Sequence, residues 1–511
     1  MELNKIKSKV YSTIFFIKKI NLTYLITGLI LLCGIILRLK VYFYNQSFWA
    51  DECSLAVNIV RHPFIKLFNP LDMEQVSPPF FMIISKFILL ISGQSYNLET
   101  RDLMLRLFPC FCSIVSLPLF SYLVYKIFNN RYILWIATAM LAFNNAAINY
   151  TQEFKQYSCE MMFALILTIA FLNLNLKNIS IKKLWCNVLL FMLSMWFSST
   201  ACIIICTGFL ITFFDAIKYK YLNYKKALIL ILPLIANVCA YYFLYFRRVN
   251  RALSEMMHDY WGRKVLSFFS LDNFHYLFVE KMQRLINFPY PKYLFIFLIL
   301  SIAILFFNKT SKNSCKFYVI LPILLAIFAS FLNVYPFEQR LILFLLPFFI
   351  IIYSQAILLF KENKLVTFAL CALLCSVSIN ALSKETSQYI QNQNINREFS
   401  QILIENKVPE EKIFLTTDDR LFYYLCKDGK CKNEFLRDSV WKNFEESKFK
   451  DVVKTLPKGD YWIECTLMYG VVNYNKKLKE YINNAPELKL IKSWRAPYNK
   501  DVYLIHFEKI K

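Results

Sequence analysis

Long apolar runs separated by short polar stretches dominate the first 383 residues of the chain. They fall at about 21–41, 103–128, 131–150, 157–176, 184–198, 200–216, 227–246, 291–308, 316–333, 340–360 and 365–383. Each is near the length, roughly 20 residues, that a helix needs to cross a bilayer. A further run, 78–93, is shorter, opens on Pro78-Pro79, carries Lys86 in its middle and ends at Gly93. It reads as an amphipathic helix lying at the interface. The pattern therefore predicts about 11 spanning helices, and 184–216 could also be one long broken helix. Beyond residue 383 the chain turns polar. Helix at 395–407, strands at 413–416, 461–465, 488–494 and 502–507, and helix at 476–483 suggest a small α/β domain over 384–511.

Composition fits this reading. Hydrophobic residues make up 57% of the 511 and charged residues only 18%, and the mean hydropathy is +0.40. A soluble chain of this size cannot hide that much apolar surface. Disorder, a coiled coil and a secreted disulfide scaffold are also excluded. Glycine is scarce, 8 residues, which disfavours a transporter whose helices slide on Gly-rich contacts. Of the 15 cysteines most lie in apolar runs, where they act as small hydrophobes. Cys426 and Cys431, with Cys465, lie in the polar region and could be a disulfide or reduced thiols.

The formal charge of +24 raises a choice between a nucleic-acid footprint and a topology signal. Its placement decides for topology. With 78–93 at the interface and the N-terminus inside, the cytoplasmic loops collect Lys126 and Arg131; Lys177, Lys182 and Lys183; Lys218, Lys220, Lys225 and Lys226; Lys309, Lys312 and Lys316; and Lys361 and Lys364. The short external loops at 151–156, 198–200 and 334–339 hold only Lys155. That is the asymmetry that positive-inside orientation requires. Residues 1–383 then form the membrane domain, Arg38 and Lys40 close the first span, and 384–511 lies outside the cytoplasm.

Carboxylates near spanning segments are costly and mark candidate chemistry. Asp51 and Glu52 stand in NQSFWADECSLAV within the first external loop, 42–102, and Glu153 stands in NYTQEFKQY. This topology puts both on the external face. Asp51 could instead serve as a helix cap. A second same-side carboxylate favours general-base chemistry. Lys155 and Arg340 bring cations to that face, where they could meet a phosphate; alternatively Arg340 marks the interface or pairs with Glu338. The external segment 247–290 reads as a lid or lipid-entry wall, with His258 and Asp259 as surface residues. Together these features fit an enzyme acting on a lipid-linked anionic substrate.

Several motifs, in order, resemble the membrane glycosyltransferases of the GT-C fold, of the protein-mannosyltransferase and aminoarabinose-transferase type (glycosyltransferase family 39-like). The resemblance covers roughly residues 20–360. SFWADE is similar to the first-loop aspartate motif, at Asp51 and Glu52; QVSPPFFMIISKF to the Pro-Pro juxtamembrane helix. ETRDLMLRLFPC is similar to the Leu-Arg-Leu stretch, at Arg106; YTQEFKQY to the second acidic motif, at Gln152, Glu153 and Tyr157; VYPFEQRLILFLLPF to the late Tyr-Pro…Arg motif, at Arg340. Two positions depart: Ser77 stands where many relatives have His, and Lys155 where many have Arg. Lysine keeps the charge but loses the bidentate fork.

The resemblance implies an inverting glycosyltransferase that takes a sugar from a polyprenyl phosphate, at the external face of a bacterial inner membrane. Asp51 would be the base, Glu153 would position the acceptor or share the proton, and Glu52 would orient. Arg340 and Lys155 would stabilise the leaving phosphate, and Gln152, Tyr157 and Arg106 would contact substrate. The transition state would be oxocarbenium-like. The acceptor could be glycan, lipid or protein; nucleic acid is not a partner. No cofactor is expected, and a divalent cation at Asp51/Glu52 stays open. The rival classes are a lipid-linked sugar transporter or flippase, a non-catalytic scaffold, and a related GT-C polymerase or ligase.

Overall fold

The computed structural model describes residues 22–93, 97–220, 223–252, 302, 313–355, 396–415, 423–425, 446–465, 474–495 and 503–511. The expected spans at 291–308, apart from residue 302, and at 365–383, the 253–290 part of the external segment with His258 and Asp259, and the Cys426–Cys431 pair lie outside the described residues.

In chain order the helices are α1 (Leu22–Tyr44), α2 (Ala50–Arg61), α3 (Pro79–Ile91), α4 (Leu98–Phe128), α5 (Arg131–Ala142), α6 (Tyr157–Asn173), α7 (Ile181–Phe197), α8 (Ala201–Lys218) and α9 (Tyr224–Tyr241). They continue with α10 (Phe317–Phe331), α11 (Leu346–Ser354), α12 (Asn396–Glu405), α13 (Glu446–Thr455) and α14 (Tyr474–Asn484). Four strands follow the expected alternation: β1 (Ile413–Leu415), β2 (Gly459–Cys465), β3 (Leu488–Arg495) and β4 (Tyr503–Lys509). Among the described residues, four helices are long and apolar enough to cross a membrane: α1, α4, α8 and α9 with its extension to Arg251.

Contacts divide the chain into two compact units, each made of two segments. The first holds residues 1–43 and 108–383, the second 44–107 and 384–511.

The first unit is a helical bundle. Its core gathers apolar side chains of α4 to α8, α10 and α11, among them Phe120, Phe171, Phe191 and Phe348. On α1 the exposed Leu25, Leu29, Leu32 and Ile36 recur at helical period, and Thr27, Gly34 and Arg38 are buried. A wide apolar face left outside a narrow buried stripe is what lipid contact requires. Polar caps start the helices: Asn130 caps α5, Ser180 caps α7 and Asn223 caps α9, each accepting from backbone N–H groups of the first turn. The run 184–216 is two helices, α7 and α8, joined at Ser198–Thr200.

Arg38 departs from its reading as the end of a span. The helix runs on to Tyr44, and Arg38 is fully buried. It donates to Ser113 Oγ at 3.0 Å and to the carbonyls of Gly34 at 3.1 Å, Ala142 at 2.9 Å and Leu141 at 3.1 Å. Leu141 and Ala142 end α5, where carbonyls lack helical partners and the dipole is negative. Close approach permits this: a Cβ on Gly34 would lie 2.9 Å from the Ala142 Cβ.

In the second unit the sheet order is β1-β2-β4-β3, with β1/β2 parallel and the other pairs antiparallel. Phe414, Ile463, Ile505 and Phe507 on its core face pack with Phe449 and Val453 of α13 and Leu478 and Ile482 of α14. In the same unit lie α2, α3 and the first turns of α4. At 13 residues α3 is about 20 Å long, short of the roughly 30 Å of hydrocarbon core. Lys86, on α3, donates at 2.6 Å to the Ile59 carbonyl in the last turn of α2. Burial pushes its ammonium below the ordinary lysine range.

Candidate active site

The candidate residues fall in both units. Asp51, Glu52 and Arg106 belong to the second; Gln152, Glu153, Lys155, Tyr157 and Arg340 belong to the first. Each group is described within its own unit.

A five-residue connector, 45–49, leads into α2. Trp49 is the N-cap, and Asp51 and Glu52 occupy the first turn, where negative charge suits the dipole. The capping falls to Glu52, whose carboxylate accepts from the Trp49 N–H at 3.3 Å. Glu52 is fully buried. Its charge is met by Arg106, which donates Nε–H to Oε1 at 3.1 Å and Nη2–H to Oε1 at 3.0 Å and Oε2 at 2.9 Å. The remaining Arg106 donor reaches Asn45 Oδ1 and the Gln46 carbonyl. The guanidinium also covers the Phe48 ring, 4.4 Å from its centroid. Arg106 is thus engaged by Glu52 and the connector, and both Glu52 oxygens are engaged by Arg106. Asp51, beside this buried pair, is half-buried.

A second cluster in this unit centres on Asp102, fully buried on α4. Asp102 accepts from Arg397 Nη1 at 3.1 Å, Tyr423 Oη at 2.9 Å and Tyr424 Oη at 2.8 Å. Burial holds both phenols well above the usual tyrosine range, so they stay donors. Arg101 stacks over Tyr423 at 4.1 Å and donates to its carbonyl at 2.7 Å.

In the first unit, residues 150–156 form a tight buried turn between the short helix Asn145–Asn149 and α6. Phe154 is fully buried, and Gln152 and Lys155 nearly so. Ser158 Oγ donates to the Tyr150 carbonyl at 2.9 Å, and the Tyr150 and Tyr157 rings meet edge to face at 5.3 Å. Thr151 Oγ1 lies 2.8 Å from Ser113 Oγ, the hydroxyl that Arg38 holds. The chain of contacts from α1 therefore ends one residue before Gln152-Glu153. Arg340, partly exposed, sits in the turn before α11. Tyr335 pins that turn, donating to the Leu341 carbonyl at 2.7 Å. Burial, then the nearby Glu160 and Tyr157, raise the Tyr335 phenol well above its usual range. The structure thus brings Tyr335, on the Arg340 loop, next to Tyr157 and α6.

An open depression lined by Asn173, Asn175, Asn178, Lys183 and Asn187 lies at the other end of α6 and holds none of these residues.

Glu160, nearly buried in the first turn of α6, is missing from the sequence-derived set, although an acid inside the run YSCEMMFALIL is the signal that singled out the others. Asp102, Arg397, Tyr423 and Tyr424 carry no comparable signal, because their association spans about three hundred residues.

No protein-family model and no curated protein matches the chain. Solved structures do. ArnT from Cupriavidus metallidurans bound to undecaprenyl phosphate matches with a TM-score of 0.54 at 11% identity, covering 94% of this chain and 98% of that one. The same protein in the apo state matches with a TM-score of 0.55, at the same identity and coverage. The chain has the GT-C fold. It is a multi-pass membrane protein. In this GT-C chain the identity is too low for the likeness to carry residues across, so the roles of Asp51, Glu153, Lys155 and Arg340 rest on their own surroundings.

Proposed function

We propose that the protein is an inverting glycosyltransferase that moves a sugar from a polyprenyl-phosphate donor to an acceptor hydroxyl at the external face of the membrane. The observation that carries this reading is the Asp51 turn within a GT-C fold: the cap and the buried ion pair fall to Glu52, and Asp51 stands beside them on a fixed helix start. In the proposed reaction Asp51 takes the proton from the acceptor hydroxyl as that oxygen attacks the anomeric carbon. The bond to the phosphate breaks on the opposite face, and the electron pair leaves with the lipid phosphate. Arg340 and Lys155 stabilise that charge. Glu153, Gln152 and Tyr157, on the rigid 150–157 turn, position the acceptor. Arg106 acts through Glu52 as a positioning residue and does not contact substrate.

ArnT's binding of undecaprenyl phosphate supports a donor of that class. A membrane enzyme meets such a donor in the lipid itself, so no nucleotide-binding fold is required. Purified protein in lipid nanodiscs, given a radiolabelled polyprenyl-phosphate sugar and membrane-extracted acceptors, tests the reading. Asp51→Asn is expected to lower transfer at least about a thousandfold, the scale of a general base together with its orientation, while donor binding stays within about twofold. Turnover by the variant at the wild-type rate removes Asp51 from the base role.

A further inference from the structure

The Asp51 turn is held in place by residues that come from the far end of the chain. We propose that the C-terminal segment is a positioning element for Asp51: Asn396, Arg397, Tyr423 and Tyr424 clamp the 45–49 connector against Asp102 and so fix where α2 begins. The proposal rests on the reading of Asp51 as the base.

The connector is five residues long, and its polar groups are bonded almost residue by residue. Arg397 Nη2 donates to the Asn45 carbonyl at 2.9 Å, and the Arg397 N–H donates to Ser47 Oγ at 2.9 Å. The Phe48 N–H donates to Tyr424 Oη at 2.8 Å, and the Phe48 carbonyl accepts from Asn396 Nδ2 at 2.8 Å. The Phe48 ring stacks on Tyr423 at 5.3 Å. Four of these hydrogen bonds come from residues about 350 positions away. The Tyr424 hydroxyl has a double part: it accepts from Phe48 and donates to Asp102. One oxygen therefore ties the connector to α4.

Phe48 is fully buried, so each of these partners lost takes a hydrogen bond from a backbone group that water does not reach. Such groups do not stay unbonded; the backbone moves until water reaches them. That movement enters α2 at Trp49, two residues before Asp51. Arg106 and Glu52 hold the other side of the turn. A base displaced by about 1 Å loses on the order of a hundredfold in rate. The clamp is thus built at the place where a small shift has the largest effect on chemistry.

Cys53 supplies a readout that does not depend on transfer. It is fully buried, with its sulfur 3.8 Å from the Phe48 carbonyl. The test uses the full-length protein in nanodiscs, with Cys53 alkylation followed by mass spectrometry alongside steady-state transfer. Tyr424→Phe is expected to raise Cys53 alkylation about tenfold, the effect of one lost hydrogen bond on local opening. It should lower kcat roughly 10- to 100-fold with KM for the lipid donor within about twofold. Arg397→Lys, which keeps the charge but loses the fork, covers the case in which Tyr424→Phe does not fold, and should shift both readouts the same way. Lys489→Ala, on the exposed outer strand, should change neither. Cys53 protection at the wild-type level in both clamp variants overturns the proposal, as does Cys53 release with kcat unchanged. If the wild-type protein transfers no sugar, the glycosyltransferase reading fails, and the Cys53 rates still decide the clamp.

Discussion

Asparagine takes over a duty that glycine performs in most proteins. Asn45, Asn129 and Asn333 follow the ends of α1, α4 and α10 with φ of 47°, 46° and 58°. The left-handed turn that closes a helix usually falls to glycine, with asparagine the next best choice, and this chain has only 8 glycines. Two of those, Gly34 and Gly208, are where a Cβ would strike a neighbour at 2.9 Å or less. Asn129→Val is therefore expected to cost about 1–2 kcal/mol, the penalty of a left-handed β-branched residue, and Asn129→Gly to be close to neutral. Thermal unfolding in detergent measures both; equal melting temperatures for the two would refute this account. At this scale the sequence located the acidic turn, and the family resemblance set Asp51 as base and Glu52 as orienter, but neither showed that the cap falls to Glu52. Asp51 and Glu52 are adjacent, and only the guanidinium of Arg106, 54 residues on, separates a buried structural carboxylate from its neighbour. A pairing over that distance leaves no local trace. Glu160 is legible by the rule that marks the other acids, a carboxylate inside an apolar run.

Elements were easier to read than their partners. Strands expected at 461–465, 488–494 and 502–507 meet β2, β3 and β4 to within two residues, because half-buried strands alternate. The run at 131–150 is less regular than it looks: α5 ends at Ala142, and Asn144 caps the short Asn145–Asn149 helix by accepting from the Ala147 N–H. Hydropathy does not register such a break, since its neighbours stay apolar. Lys86 shows the same limit. An isolated lysine in an apolar run looks out of place until the Ile59 carbonyl is seen beneath it. Its lowered pKa carries a pH dependence with a definite sign. Between the folded value and the ordinary value, about 10.4, the unfolded chain binds more protons, so stability rises with pH. Lys86→Met should accordingly be the more stable form at pH 7, with the gap closing as pH approaches 10. Melting curves across that range check it, and a gap that widens with pH would be the wrong sign.

For the molecule as a whole, fold class was legible from hydropathy and motif order, and the GT-C fold agrees with it. What the order of residues along the chain could not convey is that each compact unit is assembled from two distant segments. The turn bearing Asp51 shares a unit with the C-terminal sheet, and composition reports only what is adjacent. Under the orientation expected from the lysine asymmetry, we propose that this sheet lies outside the cytoplasm. A cysteine introduced as Lys489→Cys, on an exposed strand position, should then react with a membrane-impermeant maleimide in intact spheroplasts. Labelling that needs lysis reverses the orientation, and with it the side on which the sugar is transferred.

The Arg38 contacts bear on how the protein is made. Its carbonyl partners at Leu141 and Ala142 are synthesised more than 100 residues later. At 5–20 residues per second the nascent chain carries an uncompensated guanidinium in its first span for on the order of ten seconds. An arginine at the centre of a span disfavours insertion by about 2.5–3.5 kcal/mol; Arg38, nearer the Tyr44 end of α1, disfavours it by less, so α1 is a weaker anchor until α5 emerges. A reporter fused after residue 60 should give mixed membrane insertion, one fused after residue 156 should insert fully, and Arg38→Leu should remove the difference. Biogenesis, on this view, waits for the same contacts that later steady the Gln152-Glu153 turn.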